Sequence, residues 1–297
     1  MDWLIFGFPG NEPLAAQLAE QLQIPVGQAT IRAFPDGESY VRLLSEVQNK
    51  NVLIVLTLDH PNDKFLPLFF FCQTAREAGA RKIGLVAPYL AYMRQDKQFN
   101  PGEAVTSRQF AKLLSSVVDL IVTIDPHLHR VKGMEEIYSV PVTVLHAAPL
   151  LSAWVIENVK NPLLVGPDSE SEQWVRQVAQ AASAPYLVLE KHRKGDREVE
   201  IKVPPAEGWE QHQPILVDDI ISTARTMIMA TQQLITQGFQ PPICLGIHPI
   251  FSDNSFEESI AAGAAKIITC DTISHPSNGI KVAPLLEKAL VSLLRKA

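Results

Sequence analysis

The sequence predicts an α/β protein of two similar lobes, each a mostly parallel sheet flanked by helices. Three observations predict it. Short, continuously apolar runs recur along the 297 residues, as expected of strands covered on both faces. Amphipathic helical patterns separate them, which makes successive βαβ units. Glycine turns also repeat: Gly7 and Gly79 lie 72 positions apart, as do Gly166 and Gly238. The first of each pair leads from a strand into a helix, and the second from a helix into a strand.

The apolar runs fall at 4–6, 52–56, 83–87, 120–124, 163–165, 215–217 and 243–247. Between them, the stretch 107–118 carries Phe110, Leu113, Leu114, Val117 and Val118 on one helical stripe. Thr106 or Ser107 suits its first turn as a cap. A second helix is expected over 226–237, with Gly238 as its stop. The lobes should divide near His146–Pro149, giving domains 1–146 and 147–297.

Composition narrows the class. With 46% hydrophobic and 20% charged residues, a packed core is available and disorder is excluded. A net charge of -6 argues against a nucleic-acid partner, which would select a basic stripe. The longest apolar stretch, 65–72, contains Pro67 and is far short of the roughly 20 residues that span a bilayer. No basic segment precedes Leu4-Ile5-Phe6, so no secretory signal is expected. Cys72, Cys244 and Cys270 are odd in number and widely spaced, which reads as core thiols. The expectation is a soluble, cytoplasmic protein.

The chemistry gathers at strand ends. Neither common glycine-rich nucleotide loop is present. The run 215–217 ends in Asp218-Asp219, and the hydroxyls of Ser222, Thr223 and Thr226 follow before a helix begins. Backbone N–H groups at a helix start favour an anion. Carboxylates repel one, so Asp218 and Asp219 should face sugar hydroxyls or a bound Mg²⁺. A ligand with a phosphate and a diol satisfies both halves. An ordinary capped helix is the alternative.

Five further segments have the same double reading. Asp125-Pro126-His127 follows a strand, where His127 can hold a metal or phosphate or simply sit in a turn. Asp168, in Gly166-Pro167-Asp168, can join a metal or hydroxyl network or act as a turn cap. Arg94, Gln95 and Lys97 suit a polyphosphate or an exposed charged loop. Lys191 and Arg193 lie in a dense basic loop around Gly195, either a lid over a charged transition state or a charged hairpin. At Phe34-Pro35-Asp36-Gly37-Glu38, a turn presents an aromatic ring and two carboxylates that a purine could use, or is simply a plain hairpin tip.

Read from the start of the chain, Phe34–Glu38, Arg94-Gln95, Asp125 and His127, Pro167-Asp168, Lys191 and Arg193, and Asp218-Asp219 come in an order that resembles that of the ribose-phosphate pyrophosphokinases, also called PRPP synthetases. The resemblance covers nearly the whole sequence. It implies two phosphoribosyltransferase-type domains, and a reaction in which ATP and ribose 5-phosphate give AMP and PRPP, with Mg²⁺ as cofactor. It further implies a homo-oligomer built from dimers, up to a hexamer, with no membrane or nucleic-acid partner. By the same resemblance Phe34, Asp36, Glu38, Arg94 and Gln95 bind ATP, with the first three reaching a neighbouring subunit. His127 and Asp168 serve the metal, Lys191 and Arg193 are the catalytic cations, Asp218 and Asp219 take the ribose hydroxyls, and Ser222, Thr223 and Thr226 cradle the 5-phosphate. Two departures stand out. Ala224-Arg225 replaces a glycine pair in the cradle, and Glu170-Ser171 replaces two glycines after Asp168. A catalytically silent regulatory homologue and a phosphoribosyltransferase remain the alternatives.

Overall fold

A computed structural model describes residues 2–128, 130–169, 171–194, 198–202, 208–209 and 211–296, with side chains at all of these but 191–194, 198–202 and 296. The chain forms two compact units. Unit 1 comprises Met1–Leu145 and Ala283–Ala297, and unit 2 comprises His146–Val282.

Unit 1 opens with β1 (Trp3–Gly7) and α1 (Glu12–Leu22). An antiparallel hairpin follows, β2 (Ala29–Ala33) and β3 (Ser39–Leu43). The chain then alternates through β4 (Asn51–Val55), α2 (Pro61–Glu77), β5 (Lys82–Ala87), α3 (Thr106–Ser115), β6 (Leu120–Ile124) and β7 (Val142–Leu145). The five strands of its main sheet are parallel, in the order β1-β4-β5-β6-β7. The apolar residues of β4 and β5 are fully buried, as a sheet covered on both faces requires.

Unit 2 repeats this plan behind an extra helix, α4 (Ala148–Asn158). Its elements are β8 (Pro162–Gly166), α5 (Glu172–Ala182), β9 (Tyr186–Val188), an antiparallel pair β10 (Glu190–Lys194) and β11 (Glu198–Lys202), then β12 (Gln213–Ile221), α6 (Arg225–Thr236), β13 (Ile243–Pro249), α7 (Ser255–Ala261), β14 (Lys266–Cys270) and β15 (Asn278–Ile280). Its main sheet is parallel in the order β15-β14-β13-β12-β8-β9. Each unit therefore inserts a two-stranded ribbon before its second long strand. Gly79 and Gly238 both adopt positive φ, +85° and +87°, just past α2 and α6. That left-handed conformation is open to glycine at little cost, so the repeated spacing marks equivalent helix stops.

The final helix, α8 (Ala283–Lys296), corrects the expected domain limits. It packs on α1 and β7 of unit 1, whereas α4 packs on α5 and β15 of unit 2. Each parallel sheet needs a helix over that face. In unit 2 α4 precedes the first strand and supplies it. In unit 1 the buried stripe Leu286, Leu290 and Leu294 of α8 fills the equivalent position beside α1. The expected assignment of 147–297 to one lobe therefore fails over its last helix.

Smaller differences have local causes. α3 starts at Thr106 behind Val105 with no side-chain cap, because the Thr106 hydroxyl instead donates to Oε1 of Gln95 at 3.0 Å. The three cysteines are free and buried, as expected. Among the described residues no helix is long and apolar enough to cross a membrane.

Candidate active site

In unit 2 the register of β12 against β8 sets the carboxylates side by side. Leu216 lies opposite Val165, so Asp218 and Asp168 stand two and three positions further along neighbouring strands, where β8 has ended. β12 itself continues to Ile221, paired with β13 as far as Pro249. The sequence placed the Asp218-Asp219 pair at the end of a strand, but the branched Ile220 and Ile221 extend the strand beyond it.

Asp219 is buried and Asp218 partly so. Burial, the Asp219 charge, a hydrogen bond between the two carboxyls and the Asp168 charge together hold the Asp218 carboxyl well above its usual range. The Asp219 N–H, donating to Oδ1 of Asp218 at 3.0 Å, offsets this only in part. A carboxyl so raised, with two further carboxylates acting on it, favours hydroxyl donors around it. Asp168 is fixed from behind: its carbonyl accepts from the Ser171 hydroxyl at 2.6 Å. Glu170, beside it, lies outside the described residues.

Past β12 the chain turns through Ser222, Thr223 and Ala224 into α6. Ala224 is the N-cap at φ +52° and ψ +7°, with no side-chain cap hydrogen bond. The first-turn N–H groups of a helix have no intrahelical partner, so this uncapped start is suited to an anion. Ala224 thus holds a positive φ without being a glycine. Its methyl joins the core formed by Leu216, Ile221, Met227, Ala230 and Leu234. Arg225 is exposed on the first helical turn, beside Thr226.

Lys191 and Arg193 lie on β10, which pairs antiparallel with β11. Their side chains lie outside the described residues.

In unit 1, Phe34, Asp36 and Glu38 occupy the exposed β2–β3 turn. The Phe34 N–H donates to the Glu38 carbonyl at 2.7 Å, and the Glu38 N–H to Oδ1 of Asp36 at 3.2 Å. The Arg32 guanidinium sits 4.7 Å from the Phe34 ring and 4.5 Å from that of Tyr40, a cation–π ladder that props the tip. Beneath the hairpin is a cavity of about 640 Å³, walled by Phe8, Ile31, Arg32, Asn62, Lys64 and Leu66 among others.

Arg94 and Gln95 follow β5. Arg94 is exposed, and the Gln95 side chain is partly committed to Thr106. His127 follows β6 and is partly buried, two residues past Asp125, a buried residue at φ +38°. A non-glycine residue at positive φ before a proline is strained, a cost that functional loops often carry. The sequence reading missed Arg130. Its Nη1 donates to Oδ1 of the buried Asp96 at 2.9 Å, and it lies 5.7 Å from the Phe99 ring. Oδ2 of Asp96 has no partner among the described residues. The structure thus brings Asp168, Asp218 and Asp219 together ahead of the cradle in unit 2, and sets the hairpin tip, Arg94, Gln95 and His127 on separate connections of unit 1.

A model of the N-terminal domain of ribose phosphate pyrophosphokinase matches residues 3–117, and one of the phosphoribosyl transferase domain matches residues 134–285. The ribose-phosphate pyrophosphokinase of Sulfurisphaera tokodaii is 31% identical over 282 residues, 94% of this chain and 96% of that protein. The chain belongs to the ribose-phosphate pyrophosphokinase family. A second family member, from Methanopyrus kandleri, is 33% identical over 283 residues, 94% of this chain and 96% of its own. The crystal structure of the phosphoribosylpyrophosphate synthetase of Mycobacterium smegmatis superposes with a TM-score of 0.88 over the whole of both chains at 24% identity, so the fold is shared in full. The two-domain phosphoribosyltransferase architecture implied by the motifs is therefore that of the family.

Proposed function

We propose that the protein transfers the pyrophosphoryl group of ATP to the anomeric hydroxyl of ribose 5-phosphate, giving PRPP and AMP. The observation that carries this reading is the split site of unit 2. Asp168, Asp218 and Asp219 form a carboxylate cluster suited to hydroxyl donors, and the uncapped start of α6 beside it suits a phosphate. One sugar phosphate satisfies both. Family membership with relatives named ribose-phosphate pyrophosphokinase supports the rest.

In this reaction the anomeric oxygen attacks the β-phosphorus of ATP. Its proton leaves, the bond from the β-phosphorus to the bridging α,β-oxygen breaks, and AMP departs with that oxygen. Asp218 and Asp219 would hold the ribose hydroxyls, while Ser222, Thr223, Thr226 and the first-turn N–H groups of α6 hold the 5-phosphate. Phe34, Asp36, Glu38, Arg94 and Gln95 would hold ATP, the first three on behalf of a neighbouring subunit in a homo-oligomer. Lys191 and Arg193 would neutralise charge on the group in flight.

The described residues hold no ready-made group of three or more metal-ligating side chains. Mg²⁺ is commonly held by one or two carboxylates with water and substrate phosphates, so a sparse protein contribution fits it. The half-buried Asp168 carboxylate in unit 2, and separately His127 in unit 1, would be candidate metal ligands. When bound, the ion neutralises phosphate charge and orients the oxygens. The same reading makes the protein a cytoplasmic enzyme.

Purified protein incubated with ATP, Mg²⁺ and ribose 5-phosphate, followed by ³¹P NMR, should form AMP and PRPP in equal amounts. Formation of ADP, or of no product at millimolar substrate, would refute the assignment.

A further inference from the structure

The loop after β13, residues 250–255, directs its hydrogen bonds at the two residues that lead into the phosphate cradle. The N–H groups of Ile250 and Phe251 donate to the Ile221 carbonyl at 3.0 and 2.9 Å. The Ser252 N–H donates to the Ser222 carbonyl at 3.1 Å, and the Ser255 hydroxyl donates to the same carbonyl at 2.8 Å. The hydroxyls of Ser222 and Ser252 lie 3.1 Å apart. Ser222 is thus tied at both its backbone and its side chain to one loop.

The loop is held in a costly shape to do this. Phe251 and Asp253 adopt φ of +38° and +53°, the left-handed region that costs a non-glycine residue about 1–3 kcal/mol. Aromatic packing restrains it. The Phe251 ring stacks on His275 with centroids 4.5 Å apart, and Phe256 closes on both rings at 5.2 and 4.9 Å. His275 is itself fixed by Ser277, whose hydroxyl lies 2.8 Å from its Nδ1 and 2.8 Å from that of the buried Thr269.

We propose that Ser252 and Ser255 are positioning residues for the 5-phosphate cradle, an inference that rests on the ribose 5-phosphate reading above. Ser255 and the Ser252 N–H set the height of the Ser222 carbonyl, and with it the turn into α6. The Ser252 hydroxyl sets the direction of the Ser222 hydroxyl. A phosphate oxygen accepts only, so when it arrives Ser222 must donate outward. Ser252 must then donate to the Ser222 oxygen. A chain of two hydroxyls pointing the same way polarises the outer one and strengthens its bond to the anion. The strained loop supplies this orientation in advance, and the ligand has less to organise on binding.

Isothermal titration with ribose 5-phosphate, and separately with ATP, in the presence of Mg²⁺ tests this on the full chain. Ser252→Ala and Ser255→Ala should each weaken ribose 5-phosphate binding about 5- to 10-fold, the loss of roughly one hydrogen bond. ATP affinity should be unchanged. Ser252→Thr, which keeps the hydroxyl, should stay within about 2-fold of wild type, whereas a merely structural defect would not be rescued by it. Both alanine variants binding the sugar phosphate like wild type would overturn the clamp alone. Equal weakening of ATP would also overturn it, as a general loss of fold. Wild-type protein that binds no ribose 5-phosphate would overturn the clamp together with the reading beneath it.

Discussion

Ala224 offers the sharpest test of how the cradle is built. Its φ of +52° is left-handed, which costs an alanine about 1–2 kcal/mol. Ala224→Gly removes that cost. Against it stand one buried methyl, worth about 0.8 kcal/mol, and the greater freedom of glycine in the unfolded chain, about 0.4–1 kcal/mol. The Ala224 side chain is only 8% exposed, so the methyl loss applies nearly in full. The terms nearly cancel, and stability should change by less than about 1 kcal/mol. Ala230, two turns further into α6 and fully buried, is the control. There the same substitution loses about 1 kcal/mol of helix propensity and about 0.8 kcal/mol of burial with no relief. At about 2–4 °C per kcal/mol, calorimetry should show Ala230→Gly melting about 4–8 °C lower and Ala224→Gly within about 3 °C of wild type. Equal losses at both positions would mean that Ala224 carries no conformational strain, and the reasoning would fail.

Lys191→Ala should lower kcat by about 100- to 1,000-fold with little change in the KM for ATP or in melting temperature, and a variant that kept full rate would remove the basic ribbon from the mechanism. Asp218→Asn should flatten the dependence of stability on pH. Between the ordinary carboxyl value of 3.8 and the raised folded value, the native state holds a proton that the unfolded state has released, so wild-type stability falls as pH rises through that window. The variant should therefore melt above wild type at pH 8, with the gap closing towards pH 4, while binding ribose 5-phosphate more weakly; a gap that did not vary with pH would contradict this. Burial pushes the Cys72 and Cys244 thiols up to about 12, so a disulfide reagent at pH 8 should modify native protein only as fast as it unfolds. Rapid labelling of either would show that its strand or helix opens locally.

Much of the fold was legible because its signals are local. Each main strand of unit 1 up to β6 is a run of adjacent apolar residues, and the glycines after α2 and α6 state their own backbone conformation. The short or half-buried strands β7, β9 and β15 were not, since their few residues look like connecting chain until a neighbouring strand pairs with them. The site divided in the same way. Asp218, Asp219 and Asp168 stood out as carboxylates that follow apolar runs, yet that they share one electrostatic environment depends on the pairing of β12 with β8. Arg130 and Ser252 could not be singled out, because their partners Asp96 and Ser222 are 34 and 30 positions away in the chain.

By itself the sequence determined the α/β class, the doubled plan, the order of the chemical groups and the family. Those properties reside in periodicity, turn residues and short motifs, which act over a few residues at a time. Tertiary structure decided three other matters. It sent α8 to unit 1, where its buried leucine stripe packs beside α1 and against β7. It set Ala224 in the left-handed conformation through the core that surrounds its methyl. It fastened Ser222 to the loop after β13. Each depends on burial or hydrogen bonding between distant segments, whose free energy exists only once the sheets have assembled.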